Sequence, residues 1–408
     1  ELSALGVNMN LAPVLDLASR PENPVVGLRS FGDEPDLVSR LGLAMVLGMQ
    51  EAGVLACAKH FPGHGNTAID SHHAAASVDR TLEELQSLEL IPFEAAFAAG
   101  LGAVMAAHVH YPQLQDLPAT FSPVVLRDVL RGHLGFTGLS VTDALDMHAL
   151  AQVPGPDRAR TALEAGADLA ILGHLPRQEE IVADLADLWL PESLERVTTA
   201  RAALPPFVPR SVSPAVGWSA HAASAKEMAT SAITVVRGAG SLPLDLNPDD
   251  RVCVVTVAAG NLTPAETIGN GNLDLAAHVR RRHPNVTSVR FEFGSHGVLR
   301  DAAIREVLEA ARGAHSVLLA TVDAVADVGQ QELFAALLRR RHDPVVMALR
   351  SPLDVSTLEG SRIALCTYGR RDDQVAAAVA VLFGEVRPTG QLPVRIETHA
   401  DVADVRRG

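Results

Sequence analysis

Brief apolar runs separated by helical stretches constrain this chain more than any other feature. Residues 7–12 are strand-like, and residues 54–58, 103–107, 139–142 and 168–172 are apolar runs too short for helices. Hydrophobicity that is continuous rather than alternating marks strands buried on both faces, as parallel strands are. Residues 37–52, 81–99, 122–133 and 157–165 carry apolar residues at helical spacing between them. Thr81 with Glu84 forms a capping box, Pro92 kinks or splits the helix behind it, and Ser122 caps the next. Two further helical stretches, 177–189 and 192–203, close this region. Five strand–helix units in about 200 residues predict a TIM-type (β/α) barrel. A complete barrel has eight, so this one is expected to lack its first strands.

The pattern stops at a proline-rich segment, PPFVPRSVSPAVG, and resumes as a second strand–helix series. The expected organisation is a barrel domain over 1–204, a linker over 205–218, and an α/β sandwich domain over 219–408. In the second half Gly269-Asn270-Gly271 does not follow a strand, as a dinucleotide fingerprint must, and reads as a turn. Arg280–Arg282 with His283 sit at a helix end, where they complement the dipole.

A formal charge of -14 argues against nucleic acid and anionic membrane surfaces as partners. Three scattered cysteines, Cys57, Cys253 and Cys366, make neither a disulfide framework nor a metal motif. No apolar run reaches the roughly 18 residues of a membrane span. The sequence opens at Glu1 without Met and reads as missing upstream residues; compartment and oligomeric state stay open.

Chemistry concentrates in residues 59–73, KHFPGHGNTAIDSHH, directly after the second strand. Loops at the carboxyl ends of such strands are where ligands meet the protein. Lys59, His60, His64, Asp70, His72 and His73 crowd this one, while Pro62, Gly63 and Gly65 keep it from becoming a helix. Three readings compete: a solvated loop, a zinc site, or an Asp70/His72 dyad whose carboxylate orients the imidazole for proton transfer. Against zinc, Pro62 and Gly63 break the helical register that His60 and His64 would need, and no metal is expected.

Asp143 ends the fourth strand just before a helix, which places it for catalysis or as an N-cap, with Asp146 the alternative for either role. Asp16 caps or merely solvates a turn, and Arg29, between Gly27 and Gly32, offers a fork of donors to hydroxyl and carbonyl oxygens. His108 and His110, at the end of the third strand, are spaced to face the same way.

The run KHFPGHG, four residues, then DSH resembles the signature of bacterial β-N-acetylglucosaminidases of glycoside hydrolase family 3. APVLDL at 12–17, NPVVGLRSFG at 23–32, VMAAHV at 104–109, VTDALDM at 141–147 and VLFGEVRPTGQLPV at 381–394 match in order. The resemblance implies cofactor-free, retaining hydrolysis of terminal β-linked N-acetylglucosamine from cell-wall fragments or chitin oligomers. It implies Asp143 as nucleophile and His72 with Asp70 as acid and base. Lys59, His60, Arg29, Asp16 and His108 would bind or brace the sugar, and the family's upstream segment would supply the first strands and a further acidic residue. Three other readings stay open beside it: a phosphorylase on the same site, a carbohydrate-binding protein without turnover, and a metallohydrolase.

Overall fold

The alternating runs form a parallel sheet in one and a mostly parallel sheet in the other of two compact units, Glu1–Gly217 and Trp218–Gly408. The computed structural model describes residues 1–20, 23, 25–67, 76–204, 217–260, 262 and 274–396.

In the first unit the strands in chain order are β1 (Met9–Asn10), β2 (Leu55–Phe61), β3 (Ala76–Ser77), β4 (Ala103–Ala106), β5 (Val109–Tyr111), β6 (Gln115–Pro118), β7 (Leu139–Ala144) and β8 (Leu169–Ile171). Five of them make one sheet in the order β1-β2-β4-β7-β8, every pairing parallel. This is a partial (β/α) barrel, and the five expected strands are its five strands. Burial explains the continuous apolar runs: β4 is buried at every position and β7 from Leu139 to Thr142.

Helices pack outside the sheet through aromatic side chains. Phe93 meets Phe61 edge-on at 5.6 Å, and Phe97 stacks on Phe136 at 4.4 Å, a cluster in which each buried ring contributes about 2 kcal/mol or more. The capping box on Thr81 forms with both hydrogen bonds. Pro92 splits the predicted helix into Leu82–Gln86 and Ile91–Ala98, standing where its missing N–H costs nothing. At the amino end of β8, buried Asp168 accepts from Arg131 and Arg196 and from the backbone of Ser140.

Two departures from the sequence reading bear on the site. β2 does not stop at Ala58 but continues through Lys59 and His60 to Phe61, so the polar residues begin within the strand. The third strand ends at Ala106, and residues 109–111 join a small separate sheet of β3, β5 and β6. His108 and His110 therefore part company: His108 is buried, while His110 reaches towards exposed Asp116.

The second unit holds β9 (Thr234–Arg237), β10 (Val252–Ala258), β11 (Val286–Glu292), β12 (Ser316–Thr321), β13 (Val345–Ala348) and β14 (Ile363–Cys366) in the order β11-β10-β12-β13-β14-β9. All pairings are parallel except β9 with β14, an antiparallel edge that periodicity does not disclose. In the basic cluster of residues 280–283, Arg282 pairs with Glu385 and Arg281 bonds His278. Gly269-Asn270-Gly271 lies outside the described residues.

Candidate active site

The site begins where segment 12–16 runs beside β2. Backbone bonds from Cys57 to Ala12, Lys59 to Pro13 and Leu15 to Lys59 carry that segment along the strand, so Asp16 arrives next to His60. Opposite β4, the register of β2 slips between Lys59 and Phe61. His60 occupies the irregularity, where a strand re-aims a side chain.

Asp16 is buried, and all its side-chain capacity faces inward. Its Oδ2 lies 2.6 Å from His60 Nδ1, and its Oδ1 accepts the backbone N–H groups of His60 at 3.1 Å and His64 at 2.7 Å. Burial alone would raise this carboxyl, but His60 and His64 overcome it and bring it down to about 2. On the other side, His60 Nε2 stands 3.8 Å from Asp143 Oδ2.

Asp143 is the penultimate residue of β7, and its side chain is 25% exposed against 4% for His60. Its Oδ1 accepts the N–H of Ala144 at 2.7 Å. Burial pushes this carboxyl up, yet His60, His108, the Ala144 N–H and Lys59 together hold it below the usual carboxylate range. An ionised, partly open carboxylate at a barrel rim is equipped to act as a nucleophile. Burial lowers the Lys59 ammonium, the Asp143 charge opposes that, and Arg29 adds to it, which brings all three into one electrostatic neighbourhood. Arg29 Nε is tethered to the carbonyl of Val25 at 2.8 Å.

His108 contributes from behind. Its Nδ1 lies 2.7 Å from Thr120 Oγ1, which fixes the ring, and its Nε2 lies 3.0 Å from the carbonyl of Ala144, next to Asp143 in the chain. Asp146 turns away from Asp143 and accepts the N–H of His174 at 2.8 Å. A side chain at Gly173 would meet Asp146 Oδ1 at 2.1 Å, so glycine is required where the two loops touch.

The structure thus gathers Asp16, Lys59, His60, Arg29, His108 and Asp143, while Asp70 and His72 lie outside the described residues. Sequence reasoning assigned no role to Asn23. Its amide donates to the carbonyls of His64 and Gly65 and to Thr67, and its carbonyl accepts from Val25 and Val26. It joins the Arg29 turn to the histidine loop, and its one local sign is a buried polar residue at a turn. Among the described residues no group of three His, Cys, Asp or Glu is arranged to hold a metal ion.

Residues 1–199 match the sequence profile of the glycosyl hydrolase family 3 N-terminal domain. Beta-hexosaminidase A of Pseudoalteromonas piscicida is 30% identical over 97% of this chain and 75% of its own length. The chain belongs to glycosyl hydrolase family 3. Another relative, the beta-hexosaminidase of Chromobacterium violaceum, is 42% identical over 48% of this chain, which spans 56% of that protein. A solved family 3 structure, the beta-N-acetylglucosaminidase of Paenibacillus sp. str. FPU-7, superposes with a TM-score of 0.87 at 30% identity. That similarity covers 97% of this chain and 78% of the other. Family 3 membership agrees with the motif resemblance, and the partial barrel with the five strand–helix units from which the fold is expected.

Proposed function

We propose that this family 3 chain is a retaining exo-β-N-acetylglucosaminidase whose substrate is a terminal β-linked N-acetylglucosamine. The observation that carries the reading is the ionised carboxylate of Asp143 at the end of β7, beside Lys59 and His60. The name of the Paenibacillus neighbour supports the same sugar, and those of the beta-hexosaminidase relatives support a hexosamine.

Asp143 attacks the anomeric carbon and the bond to the leaving oxygen breaks, giving a glycosyl ester on the enzyme. A proton must reach the departing oxygen, and His72 steered by Asp70 is the proposed donor, on the motif resemblance. Neutral His72 then takes a proton from water as the water attacks the same carbon, which restores Asp143 and releases the sugar with its configuration retained. Lys59 and Arg29 bind hydroxyl and carbonyl oxygens of the sugar, and the catalytic work belongs to residues 1–204.

The test is mass spectrometry after incubation with a slow fluorinated N-acetylglucosaminyl substrate. A glycosyl adduct on Asp143 is expected; an adduct on Asp146, or none with turnover intact, overturns the assignment. Running the reaction with inorganic phosphate separates hydrolysis from phosphorolysis, since sugar 1-phosphate forms only in the second.

A further inference from the structure

We infer that Asp16 is a positioning residue which fixes the ring proton of His60 on Nδ1 and so presents Nε2, beside the nucleophile, as an acceptor for a sugar hydroxyl. The inference rests on Asp143 being that nucleophile, but the tautomer itself does not.

The argument starts from what each atom can donate. An ionised carboxylate only accepts, and Asp16 stays ionised well below neutrality. The 2.6 Å contact from Asp16 Oδ2 to His60 Nδ1 therefore requires the hydrogen to sit on Nδ1. In neutral imidazole the other nitrogen is then bare, and that nitrogen is Nε2, 3.8 Å from Asp143 Oδ2. A bare Nε2 beside a carboxylate is suited to accept the hydrogen of a sugar hydroxyl. When the ring is protonated, the same atom presents an N–H to Asp143.

The rest of the surroundings holds this arrangement in place. His60 is 4% exposed on its side chain, so its ring has little freedom to turn. His64 packs edge-on against it at 5.6 Å, with its own Nδ1 engaged by Thr67. Burial is the largest cause that brings His64 down to about 4, so at neutral pH it is an uncharged wall.

The second oxygen of Asp16 supplies a test that separates positioning from structure. Oδ1 accepts two backbone N–H groups, from His60 and His64, and only an oxygen can remain there. In Asp16→Asn the amide oxygen keeps both bonds and the loop stays anchored, which forces the amide nitrogen to face His60 Nδ1. An NH₂ group donates, so Nδ1 must become the acceptor and the ring hydrogen moves to Nε2.

Nitrogen-15 NMR of histidine-labelled protein, with His60 assigned from the signals lost in His60→Gln, reads this directly. The expected result is Nδ1–H in the parent and Nε2–H in Asp16→Asn, with kcat/KM lowered by about 100-fold or more, as for other tautomer reversals. The double variant should be no slower than His60→Gln alone, because both changes act through one ring. A parent protein with the hydrogen on Nε2 overturns the inference even if Asp16→Asn does not fold. So do unchanged kinetics in Asp16→Asn, or losses that simply multiply in the double variant. The fluorinated-substrate adduct on the parent tests the nucleophile separately: its absence from Asp143 counts against the proposed reaction and leaves the tautomer result standing.

Discussion

Buried Tyr111 donates its phenol hydrogen to the carbonyl of Gly63 at 2.6 Å, and so ties the small sheet to the loop that follows His60. Gly63 has φ +138°, and a side chain there would meet Glu89 Cβ at 2.8 Å, so the loop enters this corner only as glycine. Removing the phenol oxygen leaves the carbonyl without this donor. Tyr111→Phe is expected to lose about 1–3 kcal/mol of stability, read as a shift in urea midpoint, and to lower kcat more than a substitution on the barrel exterior does. A variant with unchanged midpoint and kcat would mean that this bond anchors nothing.

Asp143→Asn keeps the shape of the side chain and removes the charge of the proposed nucleophile. Loss of kcat by roughly 10⁴-fold or more is expected, with the thermal midpoint nearly unchanged because the side chain is partly open. In the parent enzyme Asp143 is held below the ordinary carboxylate range. It therefore stays ionised as pH falls towards 4, and an acid limb of kcat/KM that begins well above that cannot belong to Asp143. Stopped assays across pH 3 to 8 check both statements.

Lys59 sits among Asp143 and Arg29 and is one of two lysines in the chain, with Lys226. A hydrogen bond from a charged group to a sugar hydroxyl that tightens as the ring flattens acts on the transition state more than on binding. Lys59→Ala should lower kcat/KM by about 10- to 100-fold, with KM raised and kcat reduced together. Steady-state kinetics that match the parent would remove Lys59 from the sugar site.

Legibility in the sequence followed how local each signal was. Asp143 could be read because a continuous buried run ends immediately before it, and Pro92 because a ring without an N–H splits a helix wherever it falls. The end of β2 was misplaced because Lys59 and His60 look like loop residues. What keeps them in the strand is pairing with β4, which lies more than forty residues on in the chain. Asp16 offered only a turn cap or a family role, since its partners His60 and His64 lie 44 and 48 residues away. The parting of His108 from His110 likewise depends on Thr120 and Ala144, which capture the first ring and leave the second at the surface.

Asp354, in the second unit, gives a prediction about stability. It is fully buried, accepts the hydroxyl of Thr321 at 2.6 Å and the N–H of Ala324 at 2.7 Å, and so holds the loop after β12. Burial raises its carboxyl to about 7; the bond from Thr321 opposes this, and neighbouring Asp323, itself paired with Arg350, adds to it. With the folded value raised above the unfolded one, the folded state binds the extra proton between about pH 4 and 7. This group's contribution is therefore fully present below pH 4, declines by about 1.4 kcal/mol per pH unit as pH rises, and is gone above 7. Asp354→Asn keeps an acceptor for Ala324 and cannot ionise, so its contribution should not vary with pH. Hydrogen exchange of residues 316–325 in the full chain should be slower in the variant than in the parent at pH 8, and similar in both at pH 3.5 once corrected for intrinsic rates. Equal protection at both pH values would mean that Asp354 carries no proton in the folded state that it lacks in the unfolded one.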